Sequence, residues 1–392
     1  MTQKACILGT DRTPELYRRR RLFLGDRIPR LSILCAVLFS LVFLLSAQKD
    51  SWTGSLFKKD NVIFVNNPEQ PVFKGDVVKF TEELRIPDTD GQHYILVRPR
   101  DILVNEDADI FVSDQRETNI KVFNRNGRFL RIIGRKGMGP GEFEALSSLF
   151  FLGKDLAVFD WINHRITLFS PQGEYRRSIS TAALNIIEIQ TDVKGNLFAL
   201  VSYIASGKRI YEIHRLDKDL NDKGRFVKVS LPYRETFSFF KASPSFWASP
   251  DGRVLFGFPD KTYEFSLYGN DGSEEKRIQK KHAHETIPEV EIAPFREKIP
   301  QELDWHIPRG YSPYYKIAGI INDNIIILRR YYFVEKRYLF DVFDPDGKYM
   351  AAFTLYNLQR GALFVQRDRF YTIEENEDGL PIIKRYKVTW PF

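Results

Sequence analysis

Hydrophobic and polar residues alternate in short runs along most of the chain, and the runs recur in the same order. IFVSD (110–114) and NIKVF (119–123) are joined by a polar loop, and LAVFD (156–160) and RITLF (165–169) repeat that arrangement without a gap. Alternation with a period of two is typical of β-strands that bury one face. Each unit contains four such runs separated by polar turns, so the pattern predicts four short strands per unit.

The pattern recurs with more divergence in four further units. The first turns of the six units fall near Asp107, Lys154, Gly195, Gly252, Asp323 and Asp368. Intervals of about 40–57 residues, with one longer interval, match a propeller blade of four strands. The prediction is an all-β fold, a closed six-bladed β-propeller of four-stranded antiparallel blades over residues 61–392, with a loop insertion at about 281–314.

The sixth unit ends after three predicted strands, and a fourth strand is available near the start of the propeller. Residues 76–86 alternate in period two and precede the first complete unit. We expect this N-terminal strand to complete the last blade as its outer strand. Closure of this kind removes sheet edges that would otherwise pair with other chains.

Composition and charge refine this picture. The chain has 32 Phe and 18 Tyr against 3 Met, which favours strands over helices. The formal charge of +7 is concentrated in residues 1–30, where 8 basic and 3 acidic residues leave only +2 for the other 362 residues. Because the basic balance belongs to the N-terminal segment, we expect no nucleic acid among the partners.

Residues 31–47 form an uncharged apolar run of 17 residues behind the basic cluster Arg18 to Arg21. This order is typical of an export signal, and the run is also near the lower limit for spanning a bilayer. Residues 1–30 are therefore predicted to be a cytoplasmic leader, 31–47 a cleaved signal peptide or a signal anchor in the membrane, and 48–60 a linker. The propeller is expected outside the cytoplasm, in the periplasm or at the cell surface.

Three stretches carry a resemblance to a known family. Residues 114–123 and 160–169 share the order Asp, then Asn, then a strand, and residues 134–143 form a glycine-rich link between units. These stretches resemble NHL-type repeats, and the chain resembles bacterial six-bladed β-propeller proteins of that superfamily. The resemblance covers about residues 61–390 and implies a family that contains lyases as well as binders of protein and RNA.

Long loops on one face of the propeller are the predicted location of a site. The loops between second and third strands share a face with the links between blades, and we call this the connection face; the opposite side, with tight turns such as Asn126-Gly127, is the turn face. Candidate ligand-binding residues on the connection face are Arg116, Arg135, Lys136, Trp161, Arg165, Arg209 and Arg330. Converging cations favour an acidic ligand. The alternative is a solvated surface whose charges are paired locally.

The insertion 281–314 offers a second set of candidates. Trp305 and Tyr311 lie in an aromatic group near its end, and its prolines permit only short helices. One interpretation is a lid that presents aromatic side chains to a sugar or a peptide. The other is an elaborated connection whose aromatic side chains pack on the fifth blade.

Evidence for catalysis is sparse in the sequence. His164, His282 and His284 are weak candidates for metal ligands, but they form no closed ligand set. Both cysteines, Cys6 and Cys35, lie in the leader, and no Gly-x-Ser-x-Gly motif occurs. We therefore predict a non-enzymatic scaffold without a cofactor that binds a protein, peptide or glycan. The alternative is a propeller enzyme, either a lyase dependent on a divalent metal or a hydrolase, acting in the central channel.

Overall fold

The short alternating runs form β-strands, and a computed structural model arranges these strands in successive antiparallel sheets. The structure describes residues 51–87, 96–233, 240–296, 306–366 and 368–392. The predicted leader and the apolar run 31–47 lie outside the described residues. No helix among the described residues has the length and apolar composition needed to cross a membrane.

Three strands precede the first blade: β1 (Ser55–Lys59), β2 (Val62–Asn67) and β3 (Lys79–Ile86). Blade 1 consists of β4 (Pro99–Val104), β5 (Ile110–Asp114), β6 (Asn119–Phe123) and β7 (Phe129–Ile133). The link to the next blade contains a short parallel pair, β8 (Arg135–Lys136) and β9 (Glu142–Phe143). Blade 2 consists of β10 (Leu146–Leu152), β11 (Asp155–Asp160), β12 (Arg165–Phe169) and β13 (Tyr175–Ser180). Blade 3 consists of β14 (Ile186–Thr191), β15 (Leu197–Ala205), β16 (Lys208–Leu216) and β17 (Asp222–Pro232).

Blade 4 consists of β18 (Ser245–Ala248), β19 (Val254–Gly257), β20 (Glu264–Tyr268) and β21 (Glu274–Lys280). Helix α1 (Glu289–Arg296) follows in the predicted insertion. Blade 5 consists of β22 (Lys316–Ile321), β23 (Asn324–Tyr332), β24 (Arg337–Phe343) and β25 (Tyr349–Tyr356). Blade 6 consists of β26 (Leu358–Gln366), β27 (Arg369–Glu375), β28 (Pro381–Thr389) and β3. The all-β fold with six four-stranded antiparallel blades is therefore confirmed.

The blades form a closed ring. The first strand of each blade contacts the first strand of the next, and β26 of blade 6 contacts β4 of blade 1. The last blade is completed by the N-terminal strand β3, which pairs antiparallel with β28 from Ile86 opposite Ile383 to Lys79 opposite Thr389. Each of the six blade interfaces holds its own apolar cluster, so the hydrophobic core is distributed around the ring.

An N-terminal hairpin extends blade 4. Strand β1, which falls in the predicted linker, pairs with β2, and β2 pairs in parallel with the outer strand β21. Asn67 is buried at the end of β2, where its Nδ2 donates to the carbonyl oxygen of Gly347 at 2.9 Å and its Oδ1 accepts from the backbone N of Tyr349 at 2.7 Å. The hairpin therefore joins the outer edge of blade 4 to blade 5.

A buried ionic network lies between blades 4 and 5. The fully buried carboxylate of Asp341 accepts hydrogen bonds from Tyr263 Oη at 2.7 Å and Tyr349 Oη at 2.9 Å. Lys280 Nζ lies 3.3 Å from one oxygen, and Arg329 Nη1 lies 3.1 Å from the other. Burial lowers the pKa of Lys280, and the negative charge of Asp341 opposes this effect. Two cations share one carboxylate at this interface.

Candidate functional site

The connection face of blades 1 and 2 is organised by two aspartates, each at the end of a second strand. Asp114 accepts hydrogen bonds from the backbone N of Val97 and Arg98, and Asp160 accepts from the backbone N of Glu144 and Ala145. Each carboxylate thus fixes the link that enters its own blade. Both aspartates therefore act as acceptors for backbone amides of the links.

The glycine-rich link 134–143 is held mainly by Arg165. Its guanidinium donates to the carbonyl oxygens of Met138, Gly139 and Glu142 at 2.8–2.9 Å. A hydrogen bond from the backbone N of Gly139 lowers the pKa of Glu142, and so does its ion pair with Arg135 at 2.9 Å. Arg165 therefore has a structural task, which leaves less of its charge available to a ligand.

The remaining predicted residues of this rim are open to solvent. Arg116 and Lys136 are exposed, and so is Arg135 despite its ion pair. Trp161 is 54% exposed, and Met138 in the neighbouring link is 75% exposed. The structure thus brings the link and the loop of blade 2 together through Arg165, and a ligand at this rim stays a prediction.

A deeper site lies on the same face, beside the insertion. A cavity of about 310 Å³ opens next to blade 5, and eight of its twelve lining residues are aromatic. We call it the aromatic pocket; its aromatic lining residues are Phe240, Phe295, Tyr311, Tyr314, Tyr315, Tyr331, Phe333 and Tyr338. Tyr315 is 41% exposed and Phe333 is 38% exposed. Aromatic side chains are therefore available to a ligand at this pocket.

Two of the predicted ligand-binding residues, Arg330 and Tyr311, contact each other in the wall of the aromatic pocket. The guanidinium of Arg330 stacks on the ring of Tyr311, 4.3 Å from its centroid. Arg330 is also buried and pairs with Glu285 at 2.9 Å, while its Nη1 donates to the carbonyl oxygen of Ser312 at 2.9 Å. Arg330 therefore forms part of the pocket wall and orients the ring of Tyr311. Its charge is already paired, so it is not an exposed cation for a ligand. Trp305, the other aromatic candidate of the insertion, lies outside the described residues.

The pocket also presents polar groups. The hydroxyl of Tyr311 is buried and has no hydrogen-bond partner among the described residues, and an unpaired buried hydroxyl costs free energy. Arg329 lines the same cavity, with 29% of its side chain exposed, and it is anchored from behind by Asp341. A few polar groups in a largely aromatic cavity are the usual composition of a ligand pocket.

The other predicted candidates are not gathered into one site. Arg209 stacks on Tyr233 at 5.1 Å in blade 3. His164 is exposed in a turn of blade 2, and His282 and His284 are exposed in the insertion. Over the part of the chain that the structure describes, no three His, Cys, Asp or Glu side chains come close enough to hold a metal ion.

The central channel contains charged side chains that the sequence did not single out. Its cavity of about 1350 Å³ is lined by the first strands of the blades, among them Asp101 of blade 1, Glu188 of blade 3 and Lys316 of blade 5. Burial raises the pKa of Asp101 to about 6. Hydrogen bonds from the backbone N of Leu149 and Ile102 oppose this effect, because they favour the charged carboxylate. Burial also raises the pKa of Glu188 and lowers that of Lys316.

A family model of six-bladed β-propellers, DUF5128, matches residues 93–378. Both the strand pairing in the structure and this match therefore define the protein as a six-bladed β-propeller. The chain belongs to the DUF5128 family of six-bladed β-propellers. A search of curated proteins finds no match. The NHL type of the repeats stays a prediction.

Solved structures share the fold at low sequence identity. A Bacteroides fragilis NCTC 9343 protein, described as a candidate for export, is 13% identical with a TM-score of 0.54 and covers 83% of this chain and 99% of its own. A DUF4221 protein from Bacteroides vulgatus ATCC 8482 is 13% identical with a TM-score of 0.51 and covers 81% of this chain and 100% of its own. Virginiamycin B lyase from Staphylococcus aureus, at 9% identity and a TM-score of 0.44, covers 79% of this chain and 99% of its own, and its likeness is too weak to bear on function. The two Bacteroides structures support the propeller fold alone.

Proposed function

We propose that this protein is a non-enzymatic binding propeller that works outside the cytoplasm and holds a peptide or a glycan in the aromatic pocket of its connection face. The apolar run 31–47 would export the propeller or tether it to the membrane. The observation that carries the proposal is the aromatic pocket itself, with exposed aromatic side chains at a face built from the longest connections.

The chemistry of the pocket fits a sugar ring or the side chain of a peptide. Aromatic faces bind the apolar faces of such groups, and the volume of about 310 Å³ is near the lower end for ligand pockets. The exposed edge of Arg329 supplies a cation for a polar or acidic substituent. A ligand that combines an apolar ring with a polar or acidic group therefore suits the pocket.

The exposed rim of blades 1 and 2 would add a second contact. Arg116, Arg135 and Lys136 lie on the connection face, as does Trp161 in the loop of blade 2, and all four side chains are exposed. An extended partner with acidic groups would gain charge-assisted bonds there, weakened by solvent screening. The name of the Bacteroides fragilis protein, a candidate for export, agrees with the location proposed from the leader.

The proposal is tested by measuring which molecules the purified full-length protein retains from a panel of immobilised peptides and of acidic and neutral oligosaccharides. We expect a defined subset to bind, and Phe333→Ala to weaken that binding at least tenfold, because Phe333 is an exposed wall of the pocket. Arg116→Ala with Lys136→Ala should weaken only acidic members. Binding that is unaffected by Phe333→Ala would contradict the proposed site.

A further inference from the structure

The central channel is separate from the aromatic pocket and differs from it in chemistry. Its cavity of about 1350 Å³ reaches the turn face, where Val193 of blade 3 is 78% exposed. The aromatic pocket opens instead on the connection face, under residues of the insertion. The two cavities therefore share no lining residue.

The first strands bring four charged side chains to the channel: the exposed Arg100 and, from alternate blades, Asp101, Glu188 and Lys316. Asp101, Glu188 and Lys316 all line the cavity and are only partly accessible. Burial lowers the pKa of Lys316 and Arg100 adds to this effect, whereas the carboxylates of Glu188 and Asp101 favour its charged form. Both carboxylate oxygens of Asp101 already accept hydrogen bonds, one from the backbone N of Leu149 at 2.7 Å and one from the backbone N of Ile102 at 2.9 Å. The contact with Leu149 ties blade 1 to blade 2.

Lys316 and Glu188 have unused bonding capacity. Among the described residues, the ammonium group of Lys316 makes no hydrogen bond and no ion pair within 4.0 Å. Glu188 Oε1 accepts from Gln190 Nε2 at 2.7 Å, and its other oxygen has no partner in the same part of the chain. One cation and one carboxylate thus face the same cavity without pairing with each other.

A β-bulge accompanies each carboxylate of the cluster. The strand register shifts between Pro99 and Asp101 in blade 1 and between Ile186 and Glu188 in blade 3. A bulge re-aims the side chains beside it and is over-represented next to functional sites. Both carboxylates therefore lie beside irregular pairing, which also occurs in the first strands of blades 2, 5 and 6.

This arrangement discriminates against ligands of a single charge. An anion that approaches Lys316 also meets Glu188, and a cation that approaches Glu188 also meets Lys316. The mouth of the channel adds to the barrier for anions, because acidic residues of its turns line it in five blades: Glu106, Asp192, Asp251, Asp323 and Asp368. Arg253, which lines the same cavity, balances the charge of Asp251, and no ion pair of the other four acids is seen among the described residues.

We propose that the central channel is a second binding site, for a small zwitterion of the α-amino acid class, whose carboxylate binds Lys316 and whose ammonium group binds Glu188. Such a ligand supplies the two missing partners at once and adds no net charge to the cavity. Trp247 and Ser148 also line the channel and are available to the side chain of the ligand.

Isothermal titration calorimetry on the full-length protein tests this site, with the common L-amino acids titrated one at a time. Propionate and propylamine serve as probes that keep only one of the two charges. We expect at least one amino acid to bind, and both single-charge probes to bind at least tenfold more weakly. Lys316→Met and Glu188→Gln should each weaken binding of that amino acid at least tenfold, whereas Lys154→Met, at an exposed turn residue of blade 2, should not change it.

Thermal unfolding of each variant establishes that it is folded, and Lys316→Gln replaces Lys316→Met if the apolar side chain is not tolerated. The proposal is wrong if no amino acid binds at millimolar concentration. It is also wrong if propionate binds as tightly as the best amino acid, or if the folded Lys316 variant retains full affinity. Loss of peptide or glycan binding in Phe333→Ala leaves this test unaffected, since Phe333 does not line the channel.

Discussion

Replacing Asp341 with Asn probes the buried network that supports the aromatic pocket from behind. The change keeps the shape of the side chain but removes the only carboxylate shared by Lys280 and Arg329 in that network. Breaking a buried ion pair by removing one partner typically costs about 3–5 kcal/mol. Lys280 is 2% exposed and cannot reach water, whereas Arg329 is 29% exposed and can relax. We therefore expect a loss of about 3 kcal/mol in the free energy of unfolding.

Urea denaturation followed by fluorescence measures this loss, with Asp346→Asn as the matched control. Asp346 also lies in blade 5 and also pairs with a lysine, Lys348 at 2.9 Å, but its side chain is 64% exposed. That variant should lose about 1 kcal/mol or less. The double variant Lys280→Met with Asp341→Asn should be more stable than Asp341→Asn alone, because it no longer buries an unpaired ammonium group. A loss below about 1 kcal/mol in Asp341→Asn would refute this reasoning.

Three further predictions concern other parts of the molecule. Arg165→Ala should lower the free energy of unfolding by about 1–3 kcal/mol in urea denaturation, because three carbonyl oxygens of the link lose a charged donor. The folded-state pKa of Asp101, about 6, exceeds the value of about 3.9 for unfolded aspartate, so this carboxyl makes stability decline as pH rises between these values. Asp101→Asn should flatten that interval of the stability profile. A reporter enzyme active only outside the cytoplasm should be active when fused after residue 60, and a stable but inactive fusion would exclude export.

The blades and their closure are predictable because both depend on local periodicity. Alternation within each strand identifies the repeating units of four strands. The last unit has only three strands at the C-terminal end, so a closed ring requires its fourth strand from elsewhere in the chain. Strand β3 begins at Lys79, three residues later than the start of the alternating segment 76–86. The hairpin of β1 and β2 is harder to predict, because its parallel pairing with β21 depends on an exposed edge that exists only in the folded blade. The adjacent residues Asp60 and Asn61, both with positive φ, mark its turn.

The candidate sites are less predictable, because they depend on contacts between distant parts of the chain. Arg330 and Tyr311 are recognisable as candidates, but the ion pair of Arg330 with Glu285 joins residues 45 positions apart. In the channel, bulges in the first strands change which residues face inward, so alternation does not identify Asp101 or Glu188. Fold therefore follows from the sequence pattern more directly than the sites do.

Ligand binding in the aromatic pocket is tested most directly by one comparison of affinities. The best peptide or glycan from the panel is titrated into the wild-type protein, Tyr315→Ala and Tyr175→Ala. The two tyrosines are 41% and 42% exposed, but Tyr315 lines the pocket and Tyr175 begins the outer strand of blade 2. We predict at least a tenfold loss of affinity for Tyr315→Ala and an unchanged affinity for Tyr175→Ala. Equal affinities for all three proteins would contradict the account.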